Sequence, residues 1–231
     1  NFSVYFLVLH RRLKEALKSD ELRFFLGVVA AATVVITLDL LPMYQNALES
    51  LRYAFFQVAS IISTTGFATA DFNLWPEFSR SLLVLLMVLG ACAGSTGGGI
   101  KMVRLLIILG MIRREMTKLL YPKAVVPLTL NKTPIDEKVC IAVLAYFMVW
   151  LTSFVIGAAV LLLAGLPPGD AISAAWAMLS NIGPGLGGVG PTGNYADLSD
   201  IQLSVCSFLM LIGRLEIFTV FAIFTRNFWR I

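Results

Sequence analysis

A run of twenty-eight residues without a charged side chain, residues 139–166, constrains the fold of this chain most strongly. As a helix it would extend about 42 Å, which exceeds the roughly 30 Å hydrocarbon core of a bilayer. The whole chain is 58% hydrophobic and only 14% charged, with a mean hydropathy of +0.83. A soluble core cannot bury that many apolar side chains, so the surrounding solvent must be lipid.

Three further apolar runs predict membrane spans, and basic segments separate them. The first ends near Leu41, before Pro42; the second covers residues 81–100 and resumes after Arg104; the last covers residues 201–225. The predicted organisation is the end of a preceding transmembrane helix (1–9), a cytoplasmic linker (10–23), one repeat (22–113), a second cytoplasmic linker (114–138) and another repeat (139–231). The short apolar start leads us to expect the C-terminal part of a longer chain.

Two short stretches have the same pattern in the same context, and we name them the first strip and the second strip. Residues 63–67 read Ser-Thr-Thr-Gly-Phe, residues 180–184 read Ser-Asn-Ile-Gly-Pro, and each follows a short uncharged segment, 54–62 or 171–179. These segments cannot cross a bilayer but allow two or three helical turns, and Asp170 is expected to cap the second. The sequence therefore predicts an all-α membrane protein with two tandem, parallel repeats of transmembrane helix, pore loop and transmembrane helix.

The strips have the chemistry of a cation filter, because irregular backbone at membrane depth must be buried in protein or face a water-filled path. Carbonyl oxygens can replace the hydration shell of a monovalent cation, and glycine lets the backbone aim them inward. The preceding helices would point their partially negative ends at the ion. A full ring needs about four strips, so the others must come from a missing N-terminal half or another copy. The alternative is that each strip is an ordinary turn.

Two further features interrupt the apolar spans. Four glycines within residues 94–99, here named the glycine loop, cannot sustain a helix, so we expect a broken helix there. Arg214 lies near the middle of the last span, where an arginine costs about 3 kcal/mol and usually faces the bundle interior or a water cavity. Facing the pore, it would oppose cations and donate hydrogen bonds to the glycine loop. The alternative is a structural arginine paired with a neighbouring helix.

Lysine and arginine are distributed unequally along the chain. Leaving out Arg214, fifteen lie on the side of the linkers and termini, and only Arg52 and Arg80 lie on the side of the strips. The positive-inside rule then places the strips outside and the linkers in the cytoplasm. The basic residues do not group with aromatics on one polar face, so no nucleic-acid partner is predicted.

Four motifs carry a resemblance to a known family. They are the two strips, Gly-Ser-Thr-Gly-Gly-Gly-Ile-Lys at residues 94–101 and Gly-Arg-Leu-Glu at residues 213–216. Together they resemble the TrkH/KtrB family of bacterial potassium uptake proteins, in the superfamily of K+ transporters, and TrkH most closely. The resemblance covers essentially the whole chain, as the third and fourth of that family's four repeats. It implies a potassium-conducting subunit, a channel or symporter, with K+ as the transported ion and no organic cofactor.

The resemblance also implies site residues, partners and a location. The backbone of six residues would coordinate potassium: Thr64, Thr65, Gly66, Asn181, Ile182 and Gly183. The gate would comprise Gly94, Gly97, Gly98, Gly99, Lys101, Arg214 and Glu216. The family further implies a homodimer, a cytoplasmic nucleotide-binding regulatory ring of the TrkA/KtrA type, surrounding membrane lipid, and a multi-pass location in the bacterial inner membrane with the pore loops facing the periplasm or exterior.

No catalytic motif is found in the sequence. GxSxG, HExxH and paired carboxylates are absent, and the GxGxxG match at residues 185–190 follows no predicted strand. We therefore predict that the chain is not an enzyme. Two alternatives to a conducting subunit remain open: a secondary carrier that moves another small solute by alternating access of broken helices, and a non-conducting scaffold.

Overall fold

Helices dominate the computed structural model, which describes residues 2–215, 217–223, 225 and 228–229. The helices are α1 (Phe2–Leu9), α2 (Leu13–Ala16), α3 (Asp20–Tyr44), α4 (Ala47–Ile62), α5 (Glu77–Val88), α6 (Met102–Leu120), α7 (Glu137–Leu163), α8 (Pro168–Leu179), α9 (Asp200–Arg214) and α10 (Ile217–Ile223). Between α6 and α7, strands β1 (Thr129–Leu130) and β2 (Thr133–Pro134) form a short antiparallel hairpin.

Two of the described helices, α3 and α7, are long and apolar enough to cross a membrane. The helices α9 and α10 would form a third span if taken together, although their axes meet at 110°. Apolar side chains cover the outside of these helices, as expected for a protein whose solvent is lipid. The predicted all-α membrane fold is confirmed.

The second span of the first repeat is broken, as the glycine content predicted. Helix α5 ends at Val88 and α6 begins at Met102, and a loop of residues 89–101, the α5–α6 loop, joins them. Two backbone hydrogen bonds join the ends of this loop. The Gly90 N–H donates to the Ile100 carbonyl (2.8 Å), and the Ile100 N–H donates to the Val88 carbonyl (3.1 Å). Because Leu89 and Ile100 pair in parallel, the chain leaves the loop in the direction in which it entered.

Several helix ends differ from their predicted positions. Helix α4 begins at Ala47 rather than at residue 54, because Asn46 caps it by accepting a hydrogen bond from the Leu48 N–H (3.1 Å). Helix α3 continues through Pro42 to Tyr44, since a proline in the last turn removes only one backbone hydrogen bond.

Two further helix ends, next to the second linker and the second strip, also differ from the prediction. Helix α6 runs past Arg113 to Leu120 and so extends into the predicted linker 114–138. The prediction that Asp170 caps α8 is wrong: Pro167 holds that position. The Asp170 carboxylate accepts a hydrogen bond from the Gly188 N–H instead (3.0 Å), because the chain after the second strip folds back over the start of α8.

One contiguous apolar core joins the two repeats and positions both strips. Each short helix, α4 and α8, packs against the preceding long helix of its own repeat, and α5 also packs on α8 across the repeats. Val58, Met87, Trp150 and Leu179 are all fully buried within this core. The ends of α4 and α8, where the strips begin, are therefore fixed by side chains of both repeats.

Candidate functional site

The two strips start with the same backbone geometry. Both short helices end in a Schellman arrangement, in which two N–H groups beyond the helix return to carbonyls of its last turn. The matched bonds are Thr64 N–H to Ile61 O (3.0 Å), Asn181 N–H to Met178 O (3.0 Å), Thr65 N–H to Ser60 O (2.9 Å) and Ile182 N–H to Ala177 O (2.9 Å). The two strips lie 117 residues apart in the sequence (180 − 63), and the same backbone hydrogen bonds form at both positions.

Both strips also alternate in backbone handedness. Thr64 (φ 56°) and Gly66 (φ 78°) have positive φ, and so do Asn181 (φ 56°) and Gly183 (φ 106°), whereas Thr65 and Ile182 do not. Positive φ is an outlier for a β-branched residue such as threonine and costs about 1–2 kcal/mol. Such a conformation persists only where the surroundings enforce it, and it turns the peptide units away from the helical direction that they would otherwise keep.

The two strips meet directly at Gly66. A Cβ built on Gly66 would overlap the carbonyl oxygen of Ile182 and lie 3.1 Å from both the Ile182 carbonyl carbon and Pro184 Cδ. Only a hydrogen atom fits between the strips at this point. The structure therefore brings together the glycine of the first strip and the middle of the second.

Side chains support each strip from its own repeat. In the first strip, the Ser63 and Thr65 hydroxyls lie 2.8 Å apart, and Ser60 Oγ donates to the Phe67 carbonyl (2.6 Å). In the second strip, the Tyr195 hydroxyl donates to the Gly183 carbonyl (2.7 Å). Burial raises the pKa of Tyr195, so its hydroxyl keeps the proton that it donates.

The outer loops that follow the strips are tied to each other across the repeats. The Asn73 side chain donates to the Gly187 carbonyl (3.1 Å) and accepts from the Gly187 N–H (2.9 Å). The Thr192 hydroxyl donates to the Asp71 carboxylate (3.1 Å). The sequence carries no signal for Asn73 or Tyr195, because their partners lie in irregular loops whose course no periodic pattern predicts.

The glycine loop lies against both strips. The Gly98 N–H donates to the Thr64 hydroxyl (3.3 Å), and a Cβ built on Gly97 would lie 3.1 Å from the same oxygen. A Cβ built on Gly98 would overlap the Ser180 carbonyl oxygen and lie 2.8 Å from its carbon. Gly94 (φ 73°) and Gly99 (φ 70°) supply the left-handed turns of the loop. Of the predicted gate residues in this loop, Gly97 and Gly98 therefore lie against the predicted filter residue Thr64, and Gly98 also lies against Asn181.

Arg214 reaches the glycine loop from the end of α9. Its guanidinium donates to the Thr96 carbonyl, and its neighbour Gly213 packs so closely that a Cβ there would overlap the Leu179 carbonyl oxygen. The same Cβ would lie 2.7 Å from Asn181 Nδ2, so the last turn of α9 contacts both the second strip and the loop. Glu216, the remaining predicted gate residue, lies outside the described residues.

A cavity of about 200 Å³ separates part of the glycine loop from helices α6, α7 and α9. Three basic residues line it: Lys101, Arg104 and Arg214. The Arg104 guanidinium stands 3.7 Å over the Tyr146 ring, in cation–π geometry. Basic side chains therefore line this side of the loop, whereas the strips themselves carry no charged side chain.

Comparison with known proteins gives one family and several relatives. The sequence model of the TrkH family, described as a cation transport protein, matches residues 16–231. The chain is 36% identical to the Trk system potassium uptake protein TrkH of Salmonella typhimurium and 35% identical to that of Escherichia coli, each time over all of this chain and 48% of the relative.

A solved structure agrees with these sequence matches. The crystal structure of the potassium transporter TrkH from Vibrio parahaemolyticus superposes with a TM-score of 0.91 at 34% identity, over all of this chain and 50% of that one. The chain thus spans about half the length of the relatives that it matches.

Proposed function

The chain belongs to the TrkH family of cation transport proteins, and from this premise we propose that it forms half of a potassium pathway in an integral membrane protein. Membership in a transport family also agrees with the prediction that the chain is not an enzyme. One observation carries the proposal: two strips of matching backbone geometry meet at Gly66 and Ile182, and the glycine loop lies against both.

In this proposal the backbone carbonyls of residues 64–66 and 181–183 replace water around a potassium ion. The strips carry no carboxylate, so the ion is held by dipoles, including the negative ends of α4 and α8. A backbone carbonyl has two lone pairs. The Gly183 oxygen, which accepts from Tyr195, therefore retains one for an ion while the tyrosine fixes its direction.

The proposed gate consists of the glycine loop and Arg214. The loop lies against the strips through Gly98, and Arg214 holds it through the Thr96 carbonyl. A fixed positive charge beside the path raises the free energy of a passing cation, and it does so more strongly where little water screens it. Lys101 and Arg104 line the same cavity.

Orientation and assembly are part of the proposal. The excess of basic residues in the linkers favours a location in the bacterial inner membrane with the strips facing the periplasm or exterior. Two strips make half a ring, so the other half comes from a preceding segment or a second copy. We also propose a homodimer and a cytoplasmic nucleotide-binding regulatory ring of the TrkA/KtrA type, for which the second linker offers a basic surface.

The proposed function is tested by producing the transporter that contains this chain in bacteria lacking potassium uptake. Growth at low potassium and uptake of rubidium are expected. A carrier for another solute would give neither but would accumulate that solute, and a scaffold would give no flux at all. Gly66→Asp, which places a carboxylate at the contact of the strips, should abolish uptake by a conducting subunit.

Replacing Arg214 should raise ion flux. Arg214→Ala removes both the charge and the bond to the Thr96 carbonyl, so we expect rubidium flux to increase several-fold, on the order of 1 kcal/mol in the barrier. Arg214→Lys keeps the charge and should give an intermediate flux. Isotope flux into proteoliposomes is the measurement, and an unchanged or lower flux in correctly assembled Arg214→Ala would contradict the barrier role.

Removing the Tyr195 hydroxyl should weaken ion selection without unfolding the protein. Tyr195→Phe leaves the Gly183 carbonyl without its donor, a change of about 1 kcal/mol. We expect the ratio of rubidium to sodium flux to fall several-fold while total flux remains measurable. Tyr121→Phe, at an exposed tyrosine beyond α6, is the matched control and should leave the ratio unchanged; an unchanged ratio in Tyr195→Phe as well would refute the positioning role.

A further inference from the structure

We propose that Glu21 is the residue that positions the glycine loop, and that the adjacent Asp20 connects this loop to the hairpin of the second linker. The proposal rests on the function proposed above for the loop as a gate. Glu21 lies in the first turn of α3, far from the loop in sequence, and neither the motifs nor the resemblance pointed to it.

One carboxylate oxygen binds the chain on both sides of the glycine loop. Glu21 Oε1 accepts a hydrogen bond from the Ala93 N–H (2.6 Å), just before the glycine loop, and from the Val103 N–H (3.2 Å), just after it. The Glu21 side chain is only 6% exposed. Hydrogen bonds to a buried carboxylate are charge-assisted and stronger than neutral ones, so the two ends of the loop cannot separate without losing them.

The position of Glu21 suits a negative charge. Val103 is the second residue of α6, and the helix's own N-cap residue, Lys101, makes no capping hydrogen bond through its side chain. The first N–H groups of a helix need an acceptor from elsewhere and carry a partial positive charge. Glu21 supplies that acceptor from another helix, so the start of α6 and the loop are fixed to the start of α3.

The residue before Glu21 is tied to the linker. The Asp20 N–H donates to Asn131 Oδ1 (2.8 Å), and the Asn131 N–H donates to Asp20 Oδ2 (2.8 Å). Asn131 lies at the turn between β1 and β2, with φ 51°. The hairpin, the first turn of α3 and the loop are therefore linked by four hydrogen bonds through two consecutive residues, and a displacement of the hairpin reaches the loop through them.

An Asp-Glu pair also lies at the start of the long helix of the second repeat, and among the described residues it makes different contacts. Asp136 is the N-cap residue of α7 and Glu137 its first residue, whereas Asp20 and Glu21 are the first two residues of α3. Asp136 caps α7 by accepting from the Lys138 N–H (3.2 Å), and Glu137 is exposed, with an ion pair to Arg114 at 3.8 Å. Glu137 therefore provides a control of equal charge in the first turn of the corresponding long helix.

Cys92 reports the position of the loop independently of ion flux. It precedes Ala93 and is only 7% exposed, so it should react slowly with a charged thiol reagent while the loop is held. In the complete transporter, with all other cysteines replaced by alanine, Glu21→Ala should raise the labelling rate of Cys92 about ten-fold or more. Glu21→Gln, which retains an acceptor oxygen but no charge, should raise it less, and Glu137→Gln should not change it.

The connection between Asp20 and the hairpin is tested by the same Cys92 labelling experiment. Asn131→Ala, at the exposed hairpin turn, should raise Cys92 labelling by about three-fold. If Cys92 labelling stays slow in assembled Glu21→Ala, the positioning role of Glu21 is overturned. If Glu21→Ala does not assemble, slow Cys92 labelling in Glu21→Gln overturns that role instead. Slow labelling in Asn131→Ala alone would overturn the connection to the hairpin.

Rubidium flux measured on the same variants separates this inference from the proposed function. Flux is expected to rise in the same order as labelling, with Glu21→Ala above Glu21→Gln and Glu137→Gln unchanged. Faster labelling without higher flux would support Glu21 as the positioning residue and overturn the glycine loop as the gate.

Discussion

Gly66→Ala is expected to abolish potassium uptake. A Cβ at this position would overlap the Ile182 carbonyl oxygen, and the backbone already has φ 78°. Positive φ alone costs alanine about 1–2 kcal/mol, and overpacking in a close-packed interior adds about 1–3 kcal/mol. The two strips must then move apart, which displaces the carbonyls of both. Rubidium uptake by cells that produce the variant should fall to the level of cells without the transporter.

Two other glycines separate the causes of this effect. Gly183→Ala combines positive φ (106°) with open space around the added Cβ, so only the backbone strain applies and uptake should be reduced but not lost. Gly169→Ala has open space in the first turn of α8 and no positive φ, so uptake should stay normal. If Gly66→Ala retained normal uptake, the contact between the strips would not matter for conduction.

The sequence predicted the parts of the structure that depend on local pattern. The repeated serine, glycine and uncharged segment indicated both strips, and the structure repeats the same hydrogen bonds at Thr64 and Asn181. Four glycines predicted the break between α5 and α6. Hydropathy and the spacing of special residues were sufficient in these cases because membrane solvent leaves few alternatives for the backbone.

Some helix ends were missed although local signals were present. The short uncharged segment was predicted from residue 54, after Glu49 and Arg52, but the capping residue Asn46 starts α4 at Ala47. Likewise, α6 extends beyond Arg113, where Glu115 and Lys118 pair at 3.2 Å one turn apart. Charged residues therefore marked the end of the apolar segment rather than the end of the helix.

The long-range contacts of the site could not be predicted in the same way. Tyr195, Asn73 and Glu21 each act on backbone atoms of a distant segment. A backbone N–H or carbonyl carries no sequence signature, so nothing in the chain indicates which side chain will reach it. Such partners follow from the packing of segments within and between the repeats, which only the three-dimensional structure provides.

Gly98→Ala is expected to change function in the opposite direction to Gly66→Ala. A Cβ on Gly98 would overlap the Ser180 carbonyl oxygen and lie 3.1 Å from Asn181 Cβ, so either the loop or the second strip must move. The strip is fixed by its Schellman hydrogen bonds and by the buried end of α8. The Gly98 N–H makes a long bond to the Thr64 hydroxyl (3.3 Å), so we expect the loop to yield.

A displaced loop would lower the barrier while the strips keep their geometry. Rubidium flux through Gly98→Ala should therefore rise several-fold in proteoliposomes, with an unchanged ratio of rubidium to sodium flux. Gly97→Ala is the matched control, because its Cβ would meet the Thr64 hydroxyl at 3.1 Å and requires a shift of only a few tenths of an ångström. A loss of selectivity in Gly98→Ala would mean that the second strip moved instead. The loop would then serve as a support of the filter, and the gate would have to lie elsewhere.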